Sequence, residues 1–132
     1  MDNKTFNILA AVLIIGTVIL TSFKPSVETI THEGDTTVIN TTEIGKGIKG
    51  YNGATPVKIY IVKNKVVKIK PLRNQETPKY FAKAKGLLSK WEGKTVSKAQ
   101  KENVDAVSGA TFSSKALIQN VEKGLEFYKK RK

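Results

Sequence analysis

Residues 5–23 form an unbroken stretch without a charged side chain, bounded by Lys4 and Lys24. This stretch limits the possible folds and the location of the chain more than any other feature. As an α-helix it would be roughly 28 Å long, which is close to the hydrocarbon thickness of a bilayer. No Ala-x-Ala cleavage sequence follows it, so a retained anchor is favoured over a cleaved signal peptide. We therefore predict a transmembrane anchor or uncleaved signal over residues 5–23. The protein would be a single-pass protein of the cell membrane, with the remaining chain on the extracytoplasmic side.

Composition excludes several kinds of site in the rest of the chain. There are no cysteines, which removes disulfides, thiolate metal sites and cysteine nucleophiles. The single histidine, His32, rules out a paired-histidine metal motif, so no metal site is expected. The 23 basic and 11 acidic side chains give a net charge of +12, which suits an anionic partner. Charge and anchor alone would fit a membrane-tethered basic binding module without a cofactor.

The chain after residue 23 divides into three segments by composition. Residues 24–44 are rich in threonine and predict a polar spacer that passes into one or two strands, with a turn at Gly34-Asp35. Packed structure is predicted over residues 45–128. Residues 129–132 form a basic tail, which is most simply a solvated end of the chain.

The clearest β-hairpin pattern covers residues 56–71. Aliphatic side chains alternate with other residues along its first half, and the bend is predicted at Asn64-Lys65. On the return strand, Val67 and Ile69 are predicted to share the buried face, since lysines alternate with them. One face of the sheet would then meet water.

Two amphipathic helices are predicted after the hairpin. The first covers residues 78–91, with Thr77 as its N-cap, and helical spacing puts Tyr80 and Trp91 on its core face. The second covers residues 113–129. The expected fold is a small α+β domain, a twisted antiparallel sheet with packed helices.

The loop before the second helix carries the chemistry. Its sequence, residues 105–113, crowds hydroxyl and small residues around Gly109. Unpaired N–H groups and the positive end of the helix dipole make a helix start suitable for a phosphate, and glycine lets the phosphate approach. On this pattern alone, an ordinary capped helix terminus is the simpler interpretation.

The order of residues resembles the flavinylation motif of the FMN-binding domain family. That motif has an aspartate, two variable positions and then Ser/Thr-Gly-Ala-Ser/Thr-x-Ser/Thr, and Asp105 to Ser113 match it throughout. A Gly-x-Gly-Tyr-like element at residues 47–53, the hairpin and a Glu-Thr-Pro element at residues 76–78 occur in the family's order. The resemblance covers roughly residues 45–128. Known members include extracytoplasmic subunits of sodium-translocating NADH:quinone oxidoreductases and related electron-transport complexes.

The resemblance implies FMN joined through its phosphate to the hydroxyl of Ser113. The donor would be FAD, and a separate magnesium-dependent flavin transferase would perform the reaction. Glu76 and Thr77 are implied neighbours of the isoalloxazine ring. The remaining residues implied to bind the cofactor belong to the motif itself: Asp105, Ser108, Gly109, Ala110 and Thr111.

The function that the resemblance implies is electron transfer rather than self-sufficient enzymatic turnover, with no catalytic residue in this chain. Membrane redox proteins would be the partners, and no nucleic acid is expected to bind. Two alternatives stay open from the residues, namely the cofactor-free basic module and a flavin-dependent reductase of a small molecule.

Overall fold

A computed structural model describes residues 27–131 of the chain. The predicted anchor at residues 5–23 and the first residues of the spacer lie outside this range. Among residues 27–131, no helix combines the length and the apolar character needed to cross a membrane.

The described chain forms a small α+β fold around one antiparallel sheet. The four strands follow one another in space as they do in sequence, in the order β1-β2-β3-β4. Their bounds are β1 Ile30–Glu33, β2 Thr36–Asn40, β3 Val57–Val62 and β4 Lys65–Pro71. The predicted turn at Gly34-Asp35 is confirmed, and Gly34 adopts a φ of 63° there, which glycine accepts without strain.

The β3–β4 hairpin is confirmed, but its bend lies one residue earlier than predicted. Val62 pairs with Lys65, so Lys63 and Asn64 form the two-residue turn, with φ values of 50° and 63°. A two-residue turn with both φ values positive has the twist that joins antiparallel strands without splaying them.

The prediction that Val67 faces the core is wrong because β4 contains a bulge. Tyr60 pairs with Lys68 and the next residue, Ile61, pairs with Val66, which leaves Val67 without an opposite residue. Val67 is 46% exposed as a result, while Val66 is fully buried in its place.

Three α-helices and one 3₁₀ turn follow the sheet: α1 Pro78–Lys85, the 3₁₀ turn Gly86–Lys90, α2 Val96–Gln100 and α3 Thr111–Arg131. The helix predicted over residues 78–91 therefore tightens after Lys85 instead of continuing as an α-helix. Helix α3 includes the predicted residues 113–129 and extends two residues beyond them at each end. Helix α2 was not predicted; the Thr95 hydroxyl caps it by accepting from the Lys98 N–H at 3.3 Å.

The core lies between α3 and one face of the sheet. Inward side chains of the central strands, including Ile39, Ile59 and Ile61, pack against Leu117, Val121 and Leu125 of the helix. Gly124 permits the close approach, because a Cβ there would lie 2.6 Å from Ile59 Cδ1 and 3.1 Å from Thr41 Cγ2. Trp91 is buried at the edge of this core, as its helical spacing predicted.

A buried polar cluster ties α3 to the sheet. The Asn120 side-chain oxygen accepts from the Thr41 hydroxyl at 2.8 Å, and its amide nitrogen donates to Ala116 O at 2.9 Å and Thr55 Oγ1 at 3.3 Å. The Thr41 hydroxyl in turn accepts the Val57 N–H at 2.9 Å. Both polar ends of the Asn120 amide thus have partners away from water, and this fixes the helix along the strands.

Candidate functional site

A cavity of about 270 Å³ opens at the amino-terminal end of α3. Its walls come from the loop before β3, the segment before α1, α1 itself and the loop that enters α3. The lining residues are Tyr51, Glu76, Thr77, Tyr80, Gly109, Ala110, Thr111, Phe112 and Ser113. Residues more than sixty positions apart in sequence therefore meet around the first turn of one helix.

The loop that enters α3 turns at Gly109, whose φ is +85°. Only glycine takes this conformation without strain, and within the described chain a Cβ here would meet nothing closer than Lys83 Nζ at 3.8 Å. Thr111, Phe112 and Ser113 occupy the first turn of the helix, where N–H groups have no intrahelical acceptor. Within residues 27–131 those three N–H groups find no other backbone acceptor either. The cavity thus borders a helix terminus with free donors, which favours an anion.

Ser113 places its hydroxyl against the carboxylate of Glu76. The hydroxyl donates to Glu76 Oε1, and both side chains are buried. Glu76 lies in the segment before α1, 37 residues away in sequence. The sequence motif and the Glu-Thr-Pro element are therefore joined by a direct side-chain contact.

A tight loop over residues 49–54 holds the Glu76 carboxylate from its other side. The Tyr51 N–H donates to Oε1 at 2.9 Å and the Asn52 N–H donates to Oε2 at 2.6 Å. The loop reaches this position because residue 50 is glycine: a Cβ on Gly50 would overlap the carboxylate, with Glu76 Cδ only 2.8 Å away. The Glu76 N–H donates to Asn74 Oδ1 at 3.0 Å, which fixes the backbone as well.

Three aromatic side chains surround the cavity and remain exposed. Tyr51 is 74% and Phe112 62% exposed, with ring centroids 5.9 Å apart, and Tyr80 is 44% exposed. The prediction that Tyr80 packs in the core is therefore wrong. It lies on the cavity side of α1, where helical spacing alone does not distinguish a core from a cleft. Exposed aromatic rings at a cavity mouth offer faces for stacking a planar ligand.

The structure brings together most of the residues that the motif singled out. Six of them line the cavity: Glu76, Thr77, Gly109, Ala110, Thr111 and Ser113. The other two, Asp105 and Ser108, are exposed to solvent and do not line the cavity. Within residues 27–131, Asp105 forms no ion pair with a basic side chain that would draw it toward the site.

Thr77 is at the N-cap position of α1, as predicted, but its hydroxyl does not cap the helix. It accepts from Asn52 Nδ2 at 3.5 Å instead, which links the start of α1 to the 49–54 loop. Thr77 thereby contributes to the cavity wall rather than to the helix terminus.

Sequence reasoning missed Phe112 and the binding of Glu76 by the loop backbone. Phe112 occupies the variable position of the motif, where the pattern specifies no residue type. An exposed aromatic at the start of an amphipathic helix is a signal that could have indicated it. The donors at Tyr51 and Asn52 are backbone N–H groups, so the side chains at these positions do not indicate the contact.

The family model of the FMN-binding domain matches residues 50–126 of the chain. Comparison with curated proteins finds no significant match. The family match covers more than half of the chain and includes every residue that lines the cavity. It confirms the resemblance drawn from the sequence and supports FMN as the cofactor. The chain belongs to the FMN-binding domain family.

Proposed function

We propose that this protein is a membrane-anchored, extracytoplasmic electron carrier with FMN joined covalently through its phosphate to Ser113. FMN, once attached, supplies an electron acceptor and donor, and membrane redox proteins are its partners. The observation that carries the proposal is the position of the Ser113 hydroxyl in the cavity wall, at the first turn of α3. A flavin transferase that uses FAD attaches the cofactor.

The helix terminus suits the phosphate of such a linkage. An ester on Ser113 Oγ carries one negative charge on the phosphodiester, next to the free N–H groups of the first turn. Gly109 leaves the approach to these donors open. Lys83 Nζ lies near this glycine and adds positive charge on the same side.

The size of the cavity suits a tethered cofactor that is only partly enclosed. At about 270 Å³ it lies at or below the lower end of the roughly 300–1,000 Å³ that is usual for sites enclosing a ligand. A covalent bond removes the need for tight enclosure. Tyr51, Phe112 and Tyr80 would flank the ring while leaving an edge open to redox partners.

The sequence of the amino-terminal segment supports attachment to the membrane. Only residues 24–29 separate the apolar stretch from β1, and fully extended they span at most about 20 Å. A domain on so short a tether stays close to the membrane surface. Its net positive charge would favour anionic headgroups or acidic redox partners.

Flavin attachment is tested by expressing the full chain with and without a flavin transferase and denaturing it. We expect flavin fluorescence on the polypeptide band only with the transferase, and none in Ser113→Ala. A dark wild-type band in the presence of transferase would defeat the proposal and favour a cofactor-free basic module. A fluorescent Ser113→Ala band would move the attachment to Thr111, the other hydroxyl of the motif that lines the cavity.

Anchoring is tested separately on the membrane fraction of the native host. Intact mass should include residues 1–23, and protease added to spheroplasts should digest the domain without breaking the cell membrane. A shortened mass, or protection of the domain, would contradict the anchor or its orientation.

A further inference from the structure

Four hydroxyl side chains lie in the loop that enters α3 or in the first turn of that helix, and their surroundings differ. The Ser113 hydroxyl donates to the Glu76 carboxylate. The Ser114 hydroxyl is fully buried and accepts the Val107 N–H at 3.0 Å, so it is turned away from the cavity. Ser108 is exposed outside the lining, and Thr111 lines the cavity without contacting a carboxylate of the described chain. One hydroxyl of four thus combines access to the cavity with a proton acceptor.

The Glu76 carboxylate is held in place without help from Ser113. Two backbone N–H groups of the 49–54 loop fix its two oxygens, and Asn74 fixes its main chain. Within residues 27–131 no lysine or arginine forms an ion pair with it. The Glu76 carboxylate is therefore already in position to accept the proton of the Ser113 hydroxyl. No basic side chain of residues 27–131 is paired with it.

We propose, on the basis of the function proposed above, that Glu76 takes the proton of the Ser113 hydroxyl during flavinylation and thereby selects that hydroxyl. The Ser113 oxygen forms a bond to the FMN-side phosphorus of FAD. The bond from that phosphorus to the bridging pyrophosphate oxygen breaks, and AMP leaves with the electron pair. The proton moves to Glu76 Oε1 and then to solvent through the cavity mouth. No electron is gained or lost in this step.

This role makes Glu76 a catalytic residue of maturation, supplied by the acceptor protein rather than by the transferase. Once the ester has formed, Ser113 no longer donates to Glu76, but the Tyr51 and Asn52 N–H groups still bind its charge. The loop thus serves the carboxylate both before and after the transfer. General-base assistance of this kind contributes about 10²–10⁴-fold in rate.

The test measures the rate of flavin incorporation into the full-length, flavin-free chain in detergent, with excess transferase, FAD and Mg²⁺. Glu76→Gln should load at least about 100-fold more slowly than the wild type. Glu92→Gln is the matched control, since Glu92 also accepts a backbone N–H, from Ile69 at 2.8 Å, but lies outside the cavity. It should load at the wild-type rate.

A second arm separates proton transfer from support of the fold. Glu76→Ala removes the part of the side chain that acetate resembles, so added acetate should raise its loading rate, while sodium chloride at equal ionic strength should not. A rate that does not respond to acetate would assign Glu76 a structural role and overturn the inference. Equal rates for Glu76→Gln and wild type would overturn it as well. A wild-type chain that never loads would instead defeat the proposed function.

Discussion

Two of the buried polar side chains of helix α3, Ser113 and Asn120, lie two turns apart, and their surroundings differ. Every polar group of the Asn120 amide meets a neutral partner, and Asn120 does not line the cavity at the start of α3. Ser113 meets a carboxylate, and beside both lies a cavity ringed by exposed aromatic rings. A closed polar cluster of this kind fixes architecture, whereas one that opens onto a cavity leaves groups available for chemistry.

The largest effect on stability is expected at the closed cluster. Asn120→Ala removes the acceptor of the Thr41 hydroxyl and the amide that donates to the buried Thr55 hydroxyl, and it should lower the free energy of unfolding by about 3 kcal/mol. Chemical denaturation measures this, with Gln119→Ala as an exposed control on the same helix that should change it by less than about 0.5 kcal/mol. Ser113→Ala should cost about 1 kcal/mol. An equal decrease in the free energy of unfolding for Ser113→Ala and Asn120→Ala would contradict the distinction between the two clusters.

An intermediate effect is expected where α3 touches the sheet beside the closed cluster. Gly124→Ala would normally stabilise a helix interior by about 1 kcal/mol. Here the new Cβ meets buried Ile59 and Thr41, so the net result should be a loss of about 1–2 kcal/mol. Thermal denaturation of the double variant Gly124→Ala/Ile59→Val should recover part of this loss, because valine lacks the Cδ1 atom in contact. A stabilised single variant would show that the packing is looser than the structure indicates.

The smallest effect on stability is expected at the cavity mouth. Phe112→Ala should change the free energy of unfolding by less than about 0.5 kcal/mol, because the ring is mostly exposed. The loaded variant should nevertheless become more accessible to iodide, since its flavin loses a flanking ring. Iodide quenching of flavin fluorescence measures this, and the control is Val67→Ala, at an exposed apolar residue outside the cavity lining. Unchanged quenching would remove Phe112 from the cofactor's surroundings.

Periodicity predicted the order of strands and helices but not their local irregularities. Alternation identified the hairpin and the buried face of Ile69, yet the bulge puts Val66 rather than Val67 on that face. Tyr80 and Trp91 share a helical pattern, but one lines the cavity and the other is buried in the core. The spacing of apolar residues indicates whether an element is a helix or a strand, but it does not indicate whether a core or a cavity lies against a given side chain.

The motif predicted more of the site than periodicity did. It singled out Ser113 and the Gly109 turn, and the Glu-Thr-Pro element singled out Glu76, all of which the structure brings together. It also included Asp105 and Ser108, which lie outside the cavity. The loop over residues 49–54 acts through its backbone N–H groups, so its side chains do not reveal that role.

The bulge also bears on how this sheet tolerates changes in chain length. Strand β4 contains one residue more than β3 needs, and the surplus residue, Val67, packs against no opposite neighbour. Loss of the codon for residue 67 would leave Val66 and Ile69 two positions apart, on one face of an uninterrupted strand. Among the described strand positions, this is where the gene can lose a triplet with least disturbance to the pairs on either side.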